Sequence, residues 1–277
     1  MVSPRNRPAA SIAEMLRLPN IDPLDARALL RAALSVDDAY LVAHAGEAVT
    51  GAQRERYLEC IERRRAGEPI AYLTGEREFH SLAFKVTPAV LIPRPDTETL
   101  VEAALERIPA QSRFRVLDLA TGSGCVAVAI ALQRPRAGVT ATDASSAALA
   151  VARHNAARHG TPIEFVESDW FAALAGRRFD LIVCNPPYVA EGDPHLSEGD
   201  LRFEPRAALL GGPDGLACIR LIVAHARAHL EPGGALLFEH GHDQGKRCRA
   251  LLERAGFRDL SSRRDLAGIE RVAGGKV

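Results

Sequence analysis

From Arg113 onward, short aliphatic runs alternate with helical stretches, and this alternation limits the fold more than any other feature of the 277 residues. The runs are FRVLDL (114–119), GVTATD (138–143), IEFVES (163–168), FDLIVCN (179–185) and GALLFEH (234–240). Helical spacing is predicted between and after them, over residues 125–132, 145–159, 215–230 and 244–255. Strands buried on both faces read as near-continuous apolar runs, and parallel neighbours need a crossover, usually a helix. The pattern therefore predicts an α/β fold around a mainly parallel sheet. Ser145 is placed to cap the second helix, and Gly160 stands where a left-handed residue ends it.

The first third of the chain reads differently. Residues 12–65 are rich in Ala, Leu and Arg, with helical apolar spacing over residues 23–34 and 53–65 and no convincing strand run. Between residues 68 and 95, prolines at 69, 88, 93 and 95 punctuate short extended pieces near residues 79–80 and 83–86, the pattern of a hairpin linker. A single core stops growing at roughly 250–300 residues, so a second domain is expected. The division predicted is a helical domain over 1–75, a β-hairpin linker over 76–95 and a catalytic domain over 96–277.

Lys+Arg and Asp+Glu both number 35, which gives no bulk attraction to a polyanion or an anionic membrane. There is no run of about 18 apolar residues, and the start MVSPRNRPAASIAEML lacks the apolar core of a signal peptide. A cytoplasmic monomer with no membrane partner is the expectation. The five cysteines (60, 125, 184, 218 and 248) are odd in number and widely spaced, so they read as small apolar residues and not as metal or redox pairs.

Chemistry enters after the first apolar run, with Asp118-Leu119-Ala120-Thr121-Gly122-Ser123-Gly124 leading into a helix. Glycines at a strand-to-helix turn let the backbone approach a ligand and leave helix N–H groups free. Such a loop also suits dinucleotides. Asp143 ends the next run about 20 residues on, where a carboxylate accepts from ribose hydroxyls, so adenosine is implied. The third glycine of a pyrophosphate fingerprint is missing, and Asp118 beside the turn would repel phosphate while suiting an ammonium group. These residues favour S-adenosylmethionine over a dinucleotide. Asp169 and Trp170 can bind the adenine amino group and ring, the alternative being that the chain's only Trp is core.

Asn185-Pro186-Pro187-Tyr188 follows the fourth run, at the carboxyl edge where open α/β sheets bind ligands. An amide nitrogen is a poor nucleophile, and its methylation needs acceptors that orient its N–H bonds and tolerate growing positive charge. The Asn185 side-chain oxygen and the Pro186 carbonyl can supply two, the prolines stiffen the loop, and Tyr188 can stack on a planar group.

This stretch resembles the [DN]-P-P-[YF] motif of amino-methyltransferases. Together with residues 68–75 (EPIAYLTG), 91–98 (LIPRPDTE), Asp169-Trp170, 202–205 (RFEP) and 239–241 (EHG), it resembles the HemK/PrmC family from about Glu68 to Arg271. Members of that family methylate the glutamine of the GGQ motif in peptide-chain release factors. The resemblance implies a Rossmann-like class I methyltransferase domain with a seven-stranded, mainly parallel sheet, a hairpin linker and a helical domain that helps hold the release factor. It also implies that Ala120, Thr121, Gly122, Ser123, Gly124, Asp143, Trp170 and Asn185 contact S-adenosylmethionine, while Asn185, Pro186, Pro187 and Tyr188 hold the glutamine. Two positions depart from the family pattern: Ala120, where glycine is common, and His80, where an aromatic residue often follows Glu-Phe.

Other readings compete. An adenine or guanine amino group presents the same planar nitrogen, but an enzyme acting on DNA would need a basic face and a base-reading insertion, and neither stands out. A non-catalytic release-factor or ribosome-binding module would not need the intact loop and Asn185. His225 and His229 are spaced to share a metal on a helix but lack a third ligand, so surface or packing roles and no metal are expected. His240-Gly241-His242 reads as local structure, Arg94 and Asp96 as either a cofactor cover or an ion pair, and Arg63-Arg64-Arg65 as a solvated helix end.

Overall fold

A computed structural model describes residues 10–17 and 21–277. The reading of the first residues as lacking a leader falls mostly outside that range. The chain divides into two compact units, the first ending at Gly75 and the second spanning Glu76–Val277.

The first unit contains α1 (Ile12–Leu16), α2 (Pro23–Leu34), α3 (Asp38–Ala43), α4 (Gly51–Arg65) and α5 (Ile70–Thr74). Helices α1 to α4 begin where side chains satisfy free backbone N–H groups. The Asp22 carboxylate accepts from Leu24 N at 2.8 Å with Pro23 in the first turn, and Thr50 with Gln53 forms a capping box. Leu29, Leu30, Leu41, Tyr57 and Ile61 form its core, and the buried Tyr57 hydroxyl donates to Met15 O at 3.2 Å. The three arginines ending α4 are engaged within the unit: Arg63 with Glu68 at 2.6 Å, Arg64 with Asp25 at 2.7 Å and Arg65 with Glu62 at 2.5 Å.

The second unit opens with an antiparallel hairpin, β1 (Glu76–Phe79) and β2 (Leu82–Lys85). Its two-residue turn, His80-Ser81, has φ of 52° and 60°, the double left-handed geometry that matches strand twist. His80 N donates to the Glu98 carboxylate at 2.8 Å. Phe79 and Phe84 are buried in the same core as α6 (Glu98–Arg107) and α7 (Cys125–Gln133), so the hairpin packs as part of this unit.

The remaining strands form one sheet: β3 (Arg115–Leu119), β4 (Gly138–Asp143), β5 (Ile163–Glu167), β6 (Phe179–Cys184), β7 (Leu230–Glu239), β8 (Arg258–Arg264) and β9 (Glu270–Lys276). Their order is β5-β4-β3-β6-β7-β9-β8, parallel as far as β7 and antiparallel at both β9 pairings. With α8 (Ser146–Arg158), α9 (Ala217–Ala226) and α10 (Gly245–Arg254), the crossovers give the seven-stranded α/β architecture expected of a class I methyltransferase domain. The Ser145 side chain caps α8 by accepting from Ala148 N at 3.1 Å, and Gly160 follows it at φ 64°. Residues 125–131 of α7 are all buried, and Cys125, Cys184 and Cys248 lie in the core, whereas Cys60 and Cys218 are half-buried. The strand order reverses between β3 and β6, which opens a crevice at their carboxyl ends.

Candidate active site

A cavity of about 500 Å³ occupies that crevice. Its floor is the loop between β3 and α7. Thr121 N donates to Thr142 O at 2.8 Å, which fastens the loop to β4. Ala120, Gly122 and Gly124 all take left-handed φ, at 59°, 56° and 80°. A Cβ on Gly124 would meet that of Ala152 at 3.0 Å, whereas the corresponding space at Gly122 is open. Ala120 thus holds a conformation that glycine adopts more easily.

Two carboxylates face this loop differently. Asp143, at the end of β4, accepts from Gly122 N and from Ser145 N, both at 2.9 Å, and remains partly exposed to the cavity. Asp118 is 2% exposed and accepts from the Thr121 hydroxyl at 2.5 Å and Ala127 N at 3.2 Å. Burial pushes its carboxyl up to about 7, because no cation compensates it. A ligand bearing positive charge would supply that compensation, so the floor suits a sulfonium amino acid and disfavours a pyrophosphate. On the far wall, Asp169 and Trp170 line the cavity, with Trp170 held at φ 50° and its carbonyl accepting from the Ser168 hydroxyl at 2.8 Å.

The roof comes from two distant segments. Glu204, 3% exposed, accepts from Ile92 N at 3.0 Å and pairs with Arg94. Burial raises its carboxyl while Arg94 opposes the shift. This clamp joins residues 89–97 to residues 205–208, and both segments line the cavity. Arg94 is therefore ion-paired and cavity-lining at once, while Asp96 pairs with Arg271 at 2.9 Å and does not line it.

Asn185 enters directly after β6. Its side-chain amide donates from Nδ2 to Thr97 Oγ1 at 3.0 Å, which leaves Oδ1 as the acceptor available to the cavity. Pro187 also lines the cavity; Gly124, Pro186 and Tyr188 do not. The Tyr188 hydroxyl instead donates to Glu239 Oε1 at 2.9 Å, and burial together with that carboxylate holds its phenol well above the usual range. The loop is braced from behind. Gln244 Nε2 donates to Tyr188 O at 2.9 Å, Gly211 N donates to Val189 O at 2.8 Å, and a Cβ on Gly211 would meet Pro187 O at 2.8 Å.

The residues without an assigned role in the sequence are thus Thr97, Glu204, Glu239 and Gln244. The first three stand inside segments quoted for the family resemblance, which was their only signal, and nothing near Gln244 marks it. His229 stacks on Phe171 with centroids 4.7 Å apart, His240 Nδ1 is 2.8 Å from Gly241 O, and His225 lies exposed on the surface. Among the described residues no group of three or more His, Cys, Asp or Glu could hold a metal, and no helix is long and apolar enough to cross a membrane.

A family model described as the PrmC N-terminal domain matches residues 12–75, and one described as the methyltransferase small domain matches residues 96–199. A release factor glutamine methyltransferase of Burkholderia pseudomallei is 56% identical over 275 residues, covering 97% of this chain and 96% of its own length. The chain belongs to the release factor glutamine methyltransferase family. The Escherichia coli member of this release factor glutamine methyltransferase family is 45% identical over 253 residues, covering 91% of each chain. Outside it, the fold is shared with the Thermus thermophilus 16S rRNA N2 G1207 methyltransferase solved with AdoMet and guanosine. That structure has a TM-score of 0.54 at 23% identity and covers 73% of this chain and 49% of its own.

Proposed function

We propose that this chain transfers a methyl group from S-adenosylmethionine to the side-chain amide nitrogen of the glutamine in the GGQ motif of class I peptide-chain release factors. One observation carries the reading. Asn185 presents a fixed carbonyl oxygen to a cavity that the carboxylates of Asp118 and Asp143 also line, an arrangement that suits a cationic nucleoside. The bound cofactor supplies an electrophilic methyl; the residues of the chain do everything else. Asp143 would accept from the ribose hydroxyls, Trp170 would face the adenine, and Asp118 would compensate positive charge. Asn185 Oδ1 and the Pro186 carbonyl accept the two N–H bonds of the glutamine. That orients its weak lone pair and stabilises the charge that grows on nitrogen as the N–CH₃ bond forms and the S–CH₃ bond breaks; S-adenosylhomocysteine leaves and one amide proton is released to solvent. Residues 1–75 help hold the release factor, residues 76–95 link, and residues 96–277 catalyse. The enzyme works in the cytoplasm as a monomer, with no membrane or nucleic-acid substrate.

The test incubates the protein and labelled cofactor with a release factor, with the same factor altered at the GGQ glutamine, and with tRNA and DNA. Label is expected on the unaltered factor alone. Asn185→Ala should lower turnover by about 10²-fold or more, while cofactor binding stays measurable by calorimetry. Label on nucleic acid but not on the factor, or near-parental turnover in Asn185→Ala, overturns the reading.

A further inference from the structure

We infer that Glu239 is a positioning residue for methyl transfer: through Thr97 and Tyr188, its buried carboxylate fixes which end of the Asn185 amide faces the cavity. The inference rests on Asn185 being the residue that holds the target amide. β6 and β7 pair in register with Cys184 opposite Phe238, so Asn185 and Glu239 emerge side by side at the same sheet edge. Glu239 is 1% exposed. A carboxylate so placed is unfavourable unless it is paired or hydrogen-bonded. Its Oε1 accepts from the Tyr188 hydroxyl, and Oε2 has no direct hydrogen bond.

Thr97, 3% exposed, provides the connection. Its Oγ1 accepts from Asn185 Nδ2 at 3.0 Å, so its own proton remains to be given. The Thr97 and Tyr188 hydroxyls both pull the Glu239 carboxyl down against the burial that raises it to about 7. With the carboxyl ionised, above about pH 7, polarity runs one way, from the Asn185 N–H to the Thr97 oxygen and from the Thr97 O–H toward a group that can only accept.

Direction matters because the two ends of a carboxamide have nearly the same shape. Turned through 180°, Asn185 would aim its NH₂ at the cavity and oppose the N–H bonds of the target amide. A glutamine at position 239 can donate to Thr97 Oγ1, which frees the Thr97 proton to point at Asn185 Oδ1 and reverses the chain of bonds. Glu239→Gln keeps size and shape while removing the directional constraint.

The experiment compares Glu239→Gln, Thr97→Val and Thr97→Ser with the parent and with Asn185→Ala. Each is assayed for kcat, KM for release factor, cofactor Kd and thermal midpoint. Glu239→Gln and Thr97→Val should each lower kcat by about 10²-fold, the loss that a small misplacement of a reacting group causes. KM and Kd should stay within about threefold of the parent, and Thr97→Ser should restore most of kcat. Near-parental kcat in Glu239→Gln and Thr97→Val, beside an inactive Asn185→Ala, refutes the positioning role alone. Losses that track the thermal midpoint and are not restored by Thr97→Ser refute it in favour of a purely structural role. An active Asn185→Ala removes the underlying site reading and the inference with it.

Discussion

Three residues of one loop occupy the same unfavourable region of backbone space, and only two are glycine. Ala120 at φ 59° demonstrates that the fold can hold an alanine there, where a Cβ costs roughly 1–2 kcal/mol. Gly122→Ala should therefore cost about 1 kcal/mol, since its Cβ would enter open space. Gly124→Ala adds a close approach to Ala152 and should cost about 3 kcal/mol. Denaturant midpoints of the two variants should reproduce this ranking, and equal losses would show that backbone strain alone sets the cost. The same residues mark the limit of reading the site from sequence. Residues 118–124 and 185–188 are contiguous, and their glycine, acid and proline types stand out. Thr97, Glu204, Glu239 and Gln244 are single polar residues that reach their partners across 51 to 112 positions, and no spacing rule reports such pairs.

Among the elements, β3, β4, β6 and β7 were legible as strands because residues on both of their faces are buried, and β5, only partly buried at the sheet edge, still shows the short apolar run IEFVES. β8 and β9 read RDLSSRR and ERVAGGK, and nothing in their hydrophobicity separates them from loop. They pair antiparallel at the sheet edge, where Gly274 lets β9 lie close against Leu236 of β7. For these two strands, family resemblance supplied what periodicity did not. The hairpin is held by a similarly silent residue. Asn155 of α8, fully buried, accepts from Lys85 N at 2.8 Å and donates to Lys85 O at 3.0 Å and Ser123 O at 2.8 Å. It thereby joins β2 to the cofactor loop. Asn155→Ala would strand up to three buried polar groups and should cost about 3 kcal/mol. Faster amide exchange at Lys85 and weaker cofactor binding should accompany the loss; unchanged exchange would show that the hairpin is held by Phe79 and Phe84 alone.

For the molecule as a whole, the buried acid at position 118 couples folding to pH. Its carboxyl moves from 3.8 unfolded to about 7 folded, so the native state binds the extra proton between those values. Stability from this group is complete below about 4, falls as pH rises through 7, and then levels off. Glu239 acts in the same sense, whereas His240, held neutral by burial, acts in the opposite one. Asp118→Asn keeps an acceptor for Thr121 and Ala127 but does not titrate. In cofactor-free protein, the stability of Asp118→Asn relative to the parent should therefore rise by about 1 kcal/mol per pH unit between 5 and 7. A constant difference in unfolding free energy across that window would mean that the folded carboxyl is ionised throughout.

The donor loop and the acceptor asparagine hang from β3 and β6, which are hydrogen-bonded neighbours. Their separation is thus anchored to the roughly 4.8 Å repeat of a sheet, among the least deformable spacings a protein contains. Sequence can drift elsewhere in the chain while the spacing between the loop after β3 and Asn185 stays the same.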